Sequence, residues 1–105
     1  MAYTLIADIN DEVQVPPNGT LSRVLHRDPT VRLVAFALDA GQELTEHTAA
    51  RPAVVQVISG RVEMGVEGGA FEMAPGAWLL LDAHQPHSLR ALQPSTVLLT
   101  MLGGS

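Results

Sequence analysis

The chain contains no cysteine, so disulfide bonds and thiol chemistry are excluded. It is poor in positive charge: 6 Lys+Arg stand against 11 Asp+Glu, for a formal net charge of -5, and no basic run occurs. That balance argues against nucleic acid or an anionic membrane surface as partner. No basic stripe is interleaved with aromatic residues. No stretch is apolar for long enough to span a bilayer, and no N-terminal segment joins basic residues to a continuous apolar run. The expectation is a soluble, cytoplasmic protein. Also absent are a glycine-rich phosphate loop leading into a helix and a Gly-x-Ser-x-Gly elbow. No segment shows a sustained helical period with caps.

What is present is apolar and finely punctuated. Hydrophobic residues make up 47% of 105 and charged residues 16%, enough for one folded domain over residues 1–105. Short strand candidates alternate with Gly, Pro and Asn turns. Tyr3 to Ile6 and Val13 to Val15 open the series, and Pro16-Pro17-Asn18-Gly19 is a strong turn. Thr20 to His26 and Val31 to Leu38 follow. The second of these is nearly all apolar, as expected of a strand covered on both faces. Arg61 to Glu67 alternates cleanly and turns at Gly68-Gly69 into Ala70 to Met73. Ala77 to Leu81 reads as a buried strand, and His87 to Leu92 and Thr96 to Leu102 close the chain. Gly103-Gly104-Ser105 reads as a flexible end. The pattern is that of an all-β sandwich or barrel. Trp78, Phe36, Phe71, Met64 and Met73 read as core.

Two histidine-bearing stretches stand out: GQELTEHTAARPAVVQVISG from Gly41 to Gly60, and the segment from Gly76 to Ala91 holding His84 and His87. They resemble the paired motifs of the cupin family. In the first motif, G-x5-H-x-H-x3-4-E-x6-G, Gly41, His47 and Gly60 fall in register, while Ala49 and Ala53 replace the second histidine and the glutamate. In the second, G-x5-P-x-G-x2-H-x3-N, Gly76 and His87 match, while Asp82, His84 and Ala91 replace the proline, glycine and asparagine. The resemblance covers Val31 to the end of the chain. It implies a cupin-type jelly-roll barrel, or double-stranded β-helix, with His47 and His87 pointing into the mouth at a shared metal.

Imidazole is the commonest transition-metal ligand and a general acid or base near neutral pH. Two histidines fall short of the three protein ligands of a catalytic zinc site. The resemblance therefore implies a divalent transition metal (Zn, Fe, Mn, Ni or Cu) that is weakly bound or absent. His84 is a candidate third ligand or a solvated loop residue. Ala49, Ala53, Val55 and Val57 are expected to line an apolar pocket wall that favours a small organic ligand held by shape. Plain alternation puts Glu43 on the face of His47, Glu46 on the opposite face, and Gln56 opposite Ala53. His26 is a candidate for the mouth or for exposed strand surface. Three functions fit: a metal-dependent dioxygenase or isomerase, a non-catalytic ligand-binding or sensing barrel, and a metal-free isomerase with histidine as base. A barrel this small gains from association, so a homodimer is expected, with residues 1–30 contributing to its interface.

Overall fold

The computed structural model describes residues 2–103. Gly104 and Ser105, part of the expected flexible end, lie outside the described residues. Nine strands form two antiparallel sheets: β1 (Thr20–Arg27), β2 (Val31–Leu38), β3 (Glu43–His47), β4 (Ala53–Ser59), β5 (Val62–Val66), β6 (Gly69–Met73), β7 (Trp78–Leu81), β8 (His87–Ala91) and β9 (Ser95–Leu102). One sheet has the order β1-β2-β9-β4-β7, the other β3-β8-β5-β6. This is the expected all-β double-stranded β-helix. Alternation explains the layer between the sheets. Leu38, Val55, Val57, Leu81 and Val97 from the first sheet meet Val62, Met64, Met73, Leu89 and Ala91 from the second.

The N-terminus departs from the reading. Tyr3 to Ile6 and Val13 to Val15 are not strands, and a single 3-10 turn occupies Ile9–Asp11. The segment lies over the outer face of β2, where Val13 is buried against Ala35 and Ala37, with Ile9, Val15 and Leu25 alongside. That contact is why β2 is apolar on both faces: its outer side is covered by the chain's own N-terminal segment.

Strand β7 is half-buried rather than buried. Leu79 and Leu81 face the core, while Trp78 is 61% exposed and Leu80 is exposed. The physical reason is cover: the N-terminal segment packs on the outer face at β2, while Trp78 and Leu80 on the outer face of β7, the last strand of the sheet, stay exposed. Phe71 is likewise exposed, on edge strand β6, whereas Met64 and Met73 are core and Phe36 packs against it.

The barrel has one closed end, and Gly60 seals it. Its φ is +87°, and a Cβ there would overlap Ser95 Oγ and the Pro94 carbonyl oxygen and lie 2.6 Å from Ser95 Cα. Ser95 is fully buried. Its hydroxyl accepts from Arg61 N at 3.0 Å, and Gln93 O lies 2.7 Å away as its acceptor. The opposite end carries the β1–β2 hairpin, tied by Asp28. Its carboxylate lies 2.6 Å from His26 Nε2 and accepts from the backbone of Thr30 and Val31 and the Thr30 hydroxyl. These bonds, the one to His26 foremost, hold the Asp28 carboxyl well below the usual carboxylate range.

Two expectations follow. Gly60→Ala combines left-handed strain with backbone overlap and should cost roughly 2–5 kcal/mol in urea unfolding. Gly41→Ala, at φ +83° with no atom near the added carbon, should cost only the strain of about 1–2 kcal/mol. Equal losses would remove the role given to the Gly60–Ser95 contact. For Asp28 the folded-state value is depressed, so its contribution exists above the unfolded carboxylate range and is lost as pH falls toward the folded value. The stability gap between wild type and Asp28→Asn should therefore be widest near neutrality and narrow below about pH 4. A gap that stays constant from pH 7 to pH 3 contradicts the assignment.

Candidate functional site

The site is built by a change of register in β3. Leu44 stands opposite Leu89 on β8, and the next paired position is His47 opposite His87. Three residues of β3 thus advance against two of β8, which is a one-residue bulge at Thr45-Glu46. Without it, alternation would put Leu44 and His47 on opposite faces. With it, both line the same cavity between the sheets. Plain alternation therefore misplaces Glu43: it is exposed, opposite Arg90, instead of sharing the face of His47.

The cavity has a volume of about 270 Å³. Its apolar wall includes Phe36, Leu44, Val55 and Leu99, and His47 and His87 supply its basic groups. The two rings meet edge to face, with centroids 4.3 Å apart and planes at 62°. The His47 ring is fixed by its own strand and the His87 ring by the loop just before β8. Nδ1 of His47 lies 2.9 Å from Thr45 O, and Nδ1 of His87 lies 2.9 Å from Gln85 O. A carbonyl can only accept, so each Nδ1 carries the proton and donates it. Each Nε2 is then left with a lone pair. The bulge therefore acts twice: it turns His47 inward, and the carbonyl of a bulge residue sets its tautomer.

The remaining candidates scatter. Of the four wall residues, Val55 lines the histidine cavity. Val57 is buried deeper in the core, Ala53 is buried in the β4 wall, and Ala49 lines a neighbouring cavity. His84 is exposed and does not line the histidine cavity. Its φ is +67°, the left-handed backbone that the family motif accommodates with glycine, and its N–H donates to Ala49 O at 2.7 Å. That bond ties the two motif loops together. His26 sits beside the outer N-terminal segment and is engaged by Asp28. Gln56 lies on the outer face, across from Trp78 and Leu98. Glu46 is exposed.

Among the described residues no three histidine, aspartate or glutamate side chains converge as a metal-binding group. Ala49 and Ala53 stand at two of the four motif ligand positions and offer no donor. Two neutral imidazoles do not make a cage able to retain a transition metal through the protein alone. The donor set thus does not fit a tightly held resident ion. Sequence reasoning read Phe36 as core and did not name Leu99 as wall, and it missed the bulge and Leu44, which the bulge brings into the wall. The only signal for either was the apolar Leu44 beside His47 at a spacing that simple alternation cannot place on one face.

No family model and no curated protein matches the chain. Solved structures do. A conserved protein of unknown function from Streptococcus pyogenes is 27% identical, with a TM-score of 0.86 over 100% of this chain and 92% of that one. A cupin superfamily protein from Desulfitobacterium hafniense is 16% identical, with a TM-score of 0.87 over 98% and 94%. An RmlC-like cupin from Desulfovibrio desulfuricans is 23% identical, with a TM-score of 0.85 over 95% and 97%. Two sheets closing at Gly60–Ser95, with the motif histidines paired at the other end, agree with these likenesses: the chain folds as a small barrel of the cupin fold.

Proposed function

We propose that this barrel binds a small organic molecule in the His47–His87 cavity, with the paired imidazoles as its polar recognition element. The observation that carries this reading is the tautomer lock. Both Nδ1 protons are donated to backbone carbonyls, so both Nε2 atoms are acceptors in a mostly apolar wall. Such a site selects a ligand with an apolar body and a hydroxyl, enol or other acidic proton directed at the rings. Two adjacent imidazoles can also accept that proton as a general base. Binding without catalysis and metal-free proton transfer thus share one site. Proton transfer needs an acid partner, and the cavity lining supplies no carboxyl group. Ligand binding is therefore the reading favoured here.

A metal-dependent dioxygenase or isomerase is the second reading. One observation favours it: an imidazole that donates Nδ1–H to a carbonyl is oriented as metal-binding histidines are. His47 and His87 would hold the ion, and the ligand would have to complete its coordination. Metal analysis of untagged protein, with and without added ion, separates the two readings. A stoichiometric ion that survives dialysis overturns the first.

The double change His47→Ala with His87→Ala tests the site. It should keep the circular dichroism spectrum and lower ligand affinity at least tenfold, because two acceptors are lost at about 1.4 kcal/mol per tenfold. Binding that is unchanged in the double variant refutes the assignment.

Association is the other part of the reading. Trp78 and Leu80 lie exposed on edge strand β7, whose far side has no strand partner. Two copies joined along this edge would satisfy both the apolar face and the open backbone groups. Light scattering should give a dimer at micromolar concentration, and Trp78→Lys with Leu80→Lys should give a monomer. A wild-type monomer at high micromolar concentration refutes it.

A further inference from the structure

The chain's six basic residues are all arginine. Three are paired with carboxylates on the surface: Arg23 with Glu12, Arg61 with Glu72, and Arg90 with Glu63. The other three are Arg27, Arg32 and Arg51. Among the described residues they form no ion pair. They meet at one cavity of about 470 Å³, together with Asp28, Ala49 and Met101.

Strand register locates this cavity relative to the histidines. Arg32 stands opposite Met101, and Met101 opposite Ala53. Two residues further into the barrel, Val34 stands opposite Leu99, and Leu99 opposite Val55. Leu99 and Val55 line the histidine cavity. Two residues of strand advance about 6.6 Å, so the arginine row lies one layer nearer the rim. The β3–β4 loop joins the two places in sequence: His47 lines one, and Ala49 and Arg51 line the other.

Two features of the row call for an anion. The first is that Arg32 Nε is buried with no hydrogen-bond partner. A buried donor left unmade is costly, and a cationic one more so. The second is charge. Three guanidinium groups around one space repel one another, and of the chain's 11 acidic residues only Asp28 lines that space. Its carboxylate is already engaged by His26, Thr30 and Val31. Arg51 is partly positioned by the bond from its Nη1 to Gly103 O, at 3.3 Å.

We infer that Arg27, Arg32 and Arg51 form an oxyanion subsite at the barrel mouth, which takes the carboxylate or phosphate head group of a small ligand. The placement of that ligand's apolar body in the histidine cavity rests on the binding reading above; the oxyanion subsite does not. Guanidinium forks match the paired oxygens of either head group, and a turn of the Arg32 side chain toward the bound anion would bring its buried Nε out to an acceptor. The deeper layer then supplies apolar contact and the two imidazole acceptors. The ligand class is an amphipathic small acid.

The test uses the whole chain with four probes: acetate, benzoate, phenyl phosphate and benzyl alcohol. Calorimetry gives affinity, and arginine Nε–H resonances report contact. Acetate should shift the Arg32 Nε–H signal. Benzoate or phenyl phosphate should bind at least about tenfold tighter than benzyl alcohol, and the tighter of the two identifies the head group. Arg51→Gln, on a loop, should weaken anion binding several-fold and leave benzyl alcohol unaffected. Arg32→Gln should do so more strongly, with circular dichroism as the check on folding. If no anion moves the arginine signals, or if Arg51→Gln leaves anion affinity unchanged, the subsite is refuted, even where benzyl alcohol still binds the histidine cavity. If acetate shifts the signals but neither aromatic body adds affinity, the subsite stands and the histidine-cavity reading fails.

Discussion

The space between two antiparallel sheets has to be apolar where it is sealed from water, and it can carry polar groups only where water or a ligand reaches them. In this barrel that constraint orders the layers from end to end. At the closed end Ser95 is fully buried, and its hydroxyl is engaged by the backbone of Arg61 and Gln93. Leu38, opposite Ser95, and Val62 pack at that end, and Met64 and Val97 continue the core from there. The inward-facing groups able to recognise a ligand sit toward the other end: His47 and His87 first, then Arg32 one layer further out on the facing sheet. Gly60 makes the sealed end feasible, because any side chain there would occupy the space of Ser95 and Pro94.

The same constraint explains the two apolar surfaces that pure alternation leaves unexplained. Strand β2 is apolar on both faces because the N-terminal segment brings Val13 onto Ala35 and Ala37. Strand β7 is apolar on both faces, and Trp78 and Leu80 on its outer face stay exposed. One surface is resolved within the chain, and the other is the candidate for a contact between chains.

The histidine pair occupies two of the four ligand positions of the motif that the two stretches resemble, and alanine occupies the other two. The positions held by Ala49 and Ala53 would each supply a donor in an intact motif. With alanine there, backbone carbonyls still orient both rings, and among the described residues no third histidine or carboxylate joins them as a metal-binding group. What remains is a shaped apolar space with two directed acceptors. Fold alone does not choose the chemistry in such a space; the residues at its mouth do.

Much of this was legible in the chain itself. Period-two alternation, turn residues between nearly all the strands, and the spacing of His47 and His87 from Gly41, Gly60 and Gly76 determined an all-β barrel with two histidines at one site. Local sequence carries that information because pleat and turn geometry act over a few residues. Three features were decided only by tertiary structure. The bulge at Thr45-Glu46 depends on pairing with β8, a strand some forty residues away along the chain, so no local pattern announces it. The exposure of Trp78 depends on the N-terminal segment packing on β2, which no pattern within β7 announces. The gathering of Arg27, Arg32 and Arg51 depends on the β1–β2 hairpin and the β3–β4 loop sharing one end of the barrel. Register and strand order are set by contacts between distant segments, and the sequence specifies them only through the folded whole.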